Sequence, residues 1–433
     1  MKTAENQRSP DTEWLRSLGA VLLGLTIPAM LSGRAVLQTF VGLALITAIV
    51  IAVREPRVRG VLWHTLRSRA GLVIFVAFVG MAVNIPGSLD PLRSFEGWGR
   101  TLIYIVGCAL FWAVLQTDDR TRKYCHRTFI GGMAFAAVVI LLAQESLVIP
   151  ELFDQHFILP LRILKNVWVP VNGAWGNTAP KAFAAVAACC VPVLFWLGSI
   201  RHGWARWAVF GVATMSVVFI IGTVNKSALA GILAAVLVVT FAVAIRNGRG
   251  WLFGWAALAL GATASVLLLV YELPDEPSSV PVWDWIPPEI VDTHRQQIWT
   301  FTAGKISEAP WTGYGINVIN RLPGANDVIP GYHAEKIPSH PHNWVLEVLG
   351  ETGLVGFVPM LFALAWLAGR QFLRYLRFGE GAPLAQLGLM AVFWASSLFN
   401  FSIWSSWWLI SYFLLTALVG AGPPAVSPPR RDA

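Results

Sequence analysis

The sequence predicts an all-α polytopic membrane protein, with about 12 transmembrane helices and one large outer loop between the ninth and tenth of them. Two observations carry this prediction. Of the 433 residues, 56% are hydrophobic and only 13% are charged, and apolar stretches long enough to span a bilayer recur along the whole chain. This composition excludes a soluble enzyme, a disordered protein and an ordinary nucleic-acid-binding protein.

The individual helices follow from the length rule that a spanning helix needs about 20 mostly apolar residues. The predicted spans are 17–34, 36–53, 70–86, 101–116, 128–149, 182–200, 204–222, 226–245, 251–272, 344–369, 384–400 and 403–421.

The orientation of these spans follows from the basic residues. With alternating loops, 21 of the 32 Lys and Arg residues fall on one side, in short segments. The positive-inside rule makes that side cytoplasmic and places both termini there. The net charge of +8 therefore reflects membrane orientation, and we predict no nucleic-acid partner.

Two long polar segments, 150–181 and 273–343, fall on the opposite, outer face. The second is far longer than an ordinary connection, and loops of that length are usually functional. Within it we predict a short surface helix over about 289–308. The predicted organisation is a bundle of nine spans over 1–272 that includes loop 150–181, an outer loop over 273–343, three spans over 344–421, and a cytoplasmic tail over 422–433.

Sequence motifs for cofactors are absent. The four cysteines, Cys108, Cys125, Cys189 and Cys190, lack the spacing of a metal site or a disulfide framework. The chain also lacks a P-loop and an acidic metal motif of the Asp-x-Asp type. We therefore predict no metal ion and no cofactor.

A few cations stand at the outer membrane boundary. Lys226 lies in a tight turn between two apolar spans, where a charge is a functional candidate by default. Arg100 and Lys181 are each predicted at the start of a span, where simple snorkelling is an equal alternative. Arg295 belongs to the predicted surface helix. Such cations would neutralise a diphosphate leaving group.

The segment from His340 to Glu351 introduces ionisable groups into the tenth span. With Pro341 in its first turn, this helix would carry His340, Asn343, Glu347 and Glu351 along one stripe, and His342 on a neighbouring face. Histidines two residues apart would then diverge, which disfavours a metal site. The alternative is a capped, hydrogen-bonded helix start. As a base, either histidine could take a proton from an attacking hydroxyl.

Three motifs together resemble the O-antigen ligase family of bacterial inner-membrane glycosyltransferases. Gly222-Thr-Val-Asn-Lys-Ser-Ala-Leu-Ala230 is similar to the family's "Ser-Arg-Gly" turn. Arg295-Gln-Gln-Ile-Trp299 with Ala309-Pro-Trp-Thr-Gly-Tyr-Gly315 resembles its "Arg-x-x-Ile-Trp … Pro-x-x-Gly-x-Gly" stretch. His340-Pro-His-Asn343, with Glu351-Thr-Gly353 and Gly356, resembles its "His-x-His-Asn … Glu-x-Gly-x-x-Gly" helix start. The similarity covers about residues 215–400.

The resemblance implies metal-independent transfer of O-antigen from undecaprenyl diphosphate to lipid A–core, on the periplasmic side of the inner membrane. It implies that His342 is the family's histidine and that Arg295 is one of its diphosphate-binding arginines. One departure is Lys226, where the family has Arg, so bidentate phosphate binding is lost at that position. Arg100 or Lys181 would compensate.

Two other functions remain open at this point. An O-antigen polymerase, or an O-linked protein oligosaccharyltransferase, would use the same donor with another acceptor. A single dominant outer loop favours the ligase. A flippase or transporter of lipid-linked glycans would show internal repeats and charges near the bilayer midplane, and the sequence shows neither.

Overall fold

The computed structural model describes residues 10–144, 178–223, 225–248, 254, 261, 293–329 and 334–421. These residues form α-helices, short 3-10 turns and one isolated antiparallel bridge between Val328 and Glu335. The helices are α1 (Pro10–Thr26), α2 (Arg34–Arg54), α3 (Pro56–Leu66), α4 (Arg69–Ala82), α5 (Pro91–Gln116), α6 (Asp119–Gln144), α7 (Thr178–Ser199), α8 (Gly203–Gly222), α9 (Lys226–Arg246), α10 (Thr293–Glu308), α11 (Trp344–Phe378), α12 (Gly381–Ser397) and α13 (Ser406–Gly420).

Several helices are suited to a bilayer. Among the described residues, 6 helices are long and apolar enough to cross a membrane: α2, α5, α7 from Lys181 onwards, α8, α9 and α11. The bent pair of α3 and α4 raises this number to 7 if it forms one span. The helices confirm an all-helical, polytopic membrane protein. Predicted span 251–272, most of loop 150–181 and the first part of loop 273–343 lie outside the described residues, so the full count of about 12 stays a prediction.

The helices differ from the predicted spans at several ends, and two of the differences bear on the site. The segment between Arg54 and Arg69, expected to be a loop, contains α3, which begins at Pro56 because proline suits the first helical turn. Helix α5 begins at Pro91, with Asp90 accepting a hydrogen bond from the backbone N–H of Arg93 at 3.1 Å. The predicted start was residue 101.

Helix α7 lies at the centre of the bundle. In its apolar window 83% of the residues are buried, and small side chains from Ala182 to Cys190 let neighbouring helices approach closely. Helix α7 packs along α8 and α12, α12 packs along α9, and α4 packs along α11. Helices α1, α2 and α6 form a second packed group.

Helix α11 is interrupted at Gly353, whose φ of 58° and ψ of −168° are non-helical. The N–H of Leu354 donates to the carbonyl of Pro310 at 2.9 Å. The N–H of Val355 donates to the carbonyl of Trp311 at 3.0 Å. The loop after α10 therefore supplies the acceptors that the interrupted helix lacks, and this fixes the loop against the first two turns of α11.

Candidate active site

Helix α10 confirms the predicted short helix within residues 289–308, starting at Thr293. It is joined to the histidine segment by Trp299, whose indole N–H donates to the carbonyl of Pro341 at 3.0 Å. Gln296 and Ile298, which lie between Arg295 and Trp299 in α10, are fully buried. Arg295 therefore lies on a helix that is fastened to the histidine segment.

Both histidines lie before α11, so the expected helical stripe from His340 was wrong. Asn343 is the N-cap, and its side-chain oxygen accepts from the N–H groups of Val345 at 3.0 Å and Leu346 at 3.3 Å. His342 takes a left-handed backbone conformation with φ of 55°. This turn brings the rings of His340 and His342 to 4.2 Å between centroids, whereas a helix would point them apart.

The two imidazoles share one hydrogen-bond acceptor, the backbone carbonyl of Asn400. His340 donates from Nε2 at 2.7 Å, and His342 donates from Nδ1 at 2.9 Å. A carbonyl only accepts, so these bonds fix the tautomer of each neutral ring. His340 Nδ1 then accepts from the hydroxyl of Ser339 at 2.7 Å. His342 Nε2 carries a lone pair and has no hydrogen bond to any described residue.

Burial favours the uncharged form of both rings. It lowers the pKa of His340. It also lowers the pKa of His342 to about 3, and Coulombic interactions with His340, Arg295 and His294 act in the same direction. The Asn400 carbonyl acts in the opposite direction in both cases.

The lysine turn is a tightly bonded helix start. Asn225 caps α9, and its side-chain oxygen accepts from the N–H of Ala228 at 3.2 Å. Its amide donates to the backbone carbonyl of Lys181 at 2.6 Å, so the starts of α7 and α9 are joined. Lys226 is the first residue of α9, as predicted from the sequence. The side chain of Lys181 is exposed.

Ser227 and Asn400 connect this turn to the histidines. The hydroxyl of Ser227 donates to the side-chain oxygen of Asn225 at 2.8 Å and accepts from the amide of Asn400 at 3.1 Å. Ser396 donates to the backbone carbonyl of Ser227 at 2.9 Å. Hydrogen bonds therefore connect the lysine turn to Asn400, the residue whose backbone carbonyl accepts from both imidazoles.

Glu347 and Glu351 are almost fully buried, each 1% exposed. Glu347 accepts from the hydroxyl of Ser402 at 2.5 Å and from the N–H of Ile403 at 2.9 Å. It therefore fixes the loop between α12 and α13 that includes Asn400. Both glutamates hold loops of the candidate site through such hydrogen bonds.

Glu351 joins three segments. Its carboxylate accepts from the N–H groups of Asn317 at 2.7 Å and Val318 at 3.1 Å, and from the indole of Trp404. Its backbone carbonyl accepts from the N–H of Gly315 at 2.8 Å. The "Pro-x-x-Gly-x-Gly" loop and the Asn400 loop are thus both fastened to the same turn of α11.

Arg100 lies well inside α5 and not at its start, because the helix extends back to Pro91. Its guanidinium donates to the backbone carbonyl of Trp404 at 3.3 Å and pairs with Glu96 at 3.2 Å. It therefore contacts the loop between α12 and α13, which includes Asn400. Phosphate binding by Arg100, Lys181, Lys226 and Arg295 stays a prediction.

Three of these site residues were not anticipated from the sequence. Asn400 acts mainly through its backbone carbonyl, which has no sequence signature, although a lone Asn between two apolar spans marks a polar outer turn. Ser227 and Trp299 lie inside recognised motifs, but nothing in their spacing indicates the partners they bind. Within the ranges that the structure describes, no three His, Cys, Asp or Glu side chains are grouped to hold a metal ion.

The fold and site together define a helical, polytopic membrane protein with a neutral histidine pair beside an arginine and a lysine-bearing turn. Residues 210–361 match the family model described as O-antigen ligase. This region contains the lysine turn, α10, the histidines and the interrupted start of α11. Over this part of its length the chain is similar to the O-antigen ligase family.

Similar proteins occur in Rickettsia. A protein named "Putative polysaccharide ligase" from Rickettsia conorii is 27% identical over 123 residues, which cover 27% of this chain and 29% of that protein. One of the same name from Rickettsia prowazekii is 26% identical over 130 residues, covering 29% of this chain and 31% of its own. The chain thus spans less than a third of the length of these curated relatives.

Proposed function

We propose that this protein is an O-antigen ligase that transfers glycan from undecaprenyl diphosphate to lipid A–core on the periplasmic side of the bacterial inner membrane. One observation carries the proposal: His342 donates from Nδ1 to a fixed carbonyl, which leaves Nε2 as a base beside the charge of Arg295. A base and cations at one site are what attack on a sugar diphosphate requires.

In this mechanism the acceptor hydroxyl attacks the anomeric carbon from the face opposite the diphosphate. The new glycosidic C–O bond forms as the C–O bond to the diphosphate breaks, so the configuration inverts. The hydroxyl proton passes to His342 Nε2, and the negative charge of the leaving diphosphate is stabilised by Arg295 and Lys226.

His342 is the favoured base over His340, because both ring nitrogens of His340 are already engaged. A pKa of about 3 would make His342 a weak base while no anion is present. A bound diphosphate places negative charge next to the ring, which raises this pKa and stabilises the imidazolium that forms. The base therefore becomes effective when the donor is bound.

The test is glycan transfer with purified protein, lipid-linked O-antigen and lipid A–core. We expect His342→Ala to reduce kcat by about 10²- to 10⁴-fold, the usual contribution of a general base. Wild-type activity in that variant would remove the assignment. Activity should survive EDTA, and its abolition would exclude a metal-independent reaction.

A gene-deletion strain separates ligase from polymerase. Loss of all long chains from lipopolysaccharide, with lipid-linked polymer accumulating, is the result expected for a ligase. Lipopolysaccharide capped by a single repeat unit would instead identify a polymerase.

A further inference from the structure

The short helix α3 carries a basic surface on the side that faces away from the bundle. Its inner face packs along α2 and α5, with Val58 fully buried and with Val61 and Leu62 against the core. The arginines of α3, of the end of α2 and of the start of α4 are exposed, as is the one Trp of α3. We call this set the α3 surface, and it consists of Arg54, Arg57, Arg59, Trp63, Arg67 and Arg69.

The positive charge of the α3 surface is not neutralised by the residues that the structure describes. Glu55 is the only acidic residue from the start of α2 to the end of α4. It is bonded to the buried Arg16, whose Nε donates to Glu55 Oε1 at 2.7 Å. Arg54, Arg57 and Arg69 form no side-chain hydrogen bond or ion pair with any described residue. These three charges are therefore available to an external anion.

Two of these arginines lie where a cation is unfavourable. Arg57 is the second residue of α3, and Arg69 is the first residue of α4. The N-terminal turn of a helix carries a partial positive charge, so it stabilises an anion and disfavours a guanidinium group. A bound anion would offset both repulsions.

The surroundings of α3 indicate that this anion belongs to the bilayer. Trp63 is 56% exposed, and the guanidinium of Arg67 lies 4.1 Å from its ring centroid. Exposed Trp is typical of the level of the lipid headgroups. Helix α4, which is bent by 62° from α3, exposes the large apolar side chains of Leu72 and Phe75. A short basic helix that carries Trp and adjoins an apolar exterior is suited to the plane of the membrane interface.

We propose that the α3 surface binds anionic bilayer phospholipids of the phosphatidylglycerol type, with the arginines on the phosphates and Trp63 among the glycerol groups. Guanidinium groups fit phosphate oxygens in bidentate geometry. Charge complementarity favours this occupant over a zwitterionic lipid, whose headgroup has no net charge. Lipid binding by α3 involves no glycan, so it stands apart from the proposed glycan transfer.

The test measures the Kd of phosphatidylglycerol for the full-length protein in detergent by native mass spectrometry, with phosphatidylcholine as the neutral reference. The α3 variant is Arg57→Gln/Arg69→Gln, which removes two charges without breaking a side-chain contact to any described residue. The matched control is Arg370→Gln/Arg377→Gln, because both arginines are exposed near the end of α11 and the net charge changes equally. We expect phosphatidylglycerol to bind about 10- to 30-fold more weakly to the α3 variant and less than about threefold more weakly to the control. Binding of phosphatidylcholine should not change.

Two further measurements separate lipid binding from a folding defect. The unfolding temperature of the α3 variant in phosphatidylcholine should be at least that of the wild type, because both substitutions relieve a helix-dipole repulsion. Salt at about 1 M should weaken phosphatidylglycerol binding to the wild type severalfold and leave phosphatidylcholine unaffected.

Equal weakening in the α3 variant and the control, or binding that does not depend on salt, would overturn the proposal. Displacement of the lipid by glycerol phosphate at the lipid's own concentration would identify a site for small soluble anions. Displacement by polyglutamate at that concentration would identify an acidic protein partner. Either displacement would overturn the assignment to bilayer lipid.

Discussion

Replacing Gly353 by Ala tests whether the break in α11 organises the site. The backbone at Gly353, with φ of 58° and ψ of −168°, lies in a region that is essentially restricted to glycine. A Cβ there would stand 2.3 Å from the backbone carbon and oxygen of Trp311. Since these are backbone atoms, the loop after α10 must move away from α11.

The magnitude follows from two contributions. Backbone strain of this kind costs about 1–3 kcal/mol. Moving the loop also disrupts the hydrogen bonds from Leu354 to Pro310 and from Val355 to Trp311, together worth about 1–3 kcal/mol. We therefore expect Gly353→Ala to destabilise the protein by about 2–6 kcal/mol.

The assay compares thermal unfolding in detergent with that of Gly369→Ala. Gly369 lies in the same helix, and a Cβ there meets no atom within 4 Å. Ala should stabilise an ordinary helix interior by about 0.5–1 kcal/mol, so the two variants should differ in sign. Glycan transfer should fall in Gly353→Ala and not in Gly369→Ala. Equal unfolding temperatures would refute the structural role of the break.

The remaining predictions concern the chemistry. His340→Ala should retain more transfer activity than His342→Ala, measured as kcat under saturating donor. Arg295→Gln removes a charge that lowers the pKa of His342, so the acid limb of the kcat/KM profile should move to higher pH. Because the folded pKa of His342 is about 3 and the unfolded value is about 6.5, the wild type should lose stability relative to His342→Ala as pH drops from about 6.5 towards 3. Lys226→Arg should retain transfer and Lys226→Ala should lose it. Ser227→Ala should lower kcat with little change in unfolding temperature, since it removes one link to the histidine carbonyl.

Each of the first four of these expectations has an outcome that contradicts it. Equal loss in both histidine variants would remove the distinction between base and neighbour. An unmoved acid limb in Arg295→Gln would place its charge too far from the ring to matter. A stability difference between the wild type and His342→Ala that does not change with pH in this window would mean that the histidine is not buried in the neutral form. Equal activity of the Arg and Ala variants at Lys226 would reject phosphate binding there.

The sequence predicts the membrane class well, because hydrophobic composition and span length report directly on the bilayer as solvent. It also predicts the short helix α10 and the start of α9 at Lys226. Helix boundaries that are set by capping residues were harder to predict. Asp90 caps α5, so the helix begins at Pro91 and Arg100 lies inside it instead of at its start. An apolar window detects where a helix is buried in lipid, and a helix can extend beyond that window into water.

The histidine pair shows why spacing alone misplaced the two rings. Two residues apart on a helix, His340 and His342 would diverge, and that geometry argued against a metal site. The structure places them before the helix, where the positive φ of His342 reverses the chain and both rings reach one carbonyl. That carbonyl belongs to Asn400, which is far away in sequence and acts through its backbone. The proposal of His342 as the base therefore rests on tertiary contacts: it is the ring whose second nitrogen has no hydrogen-bond partner among the described residues.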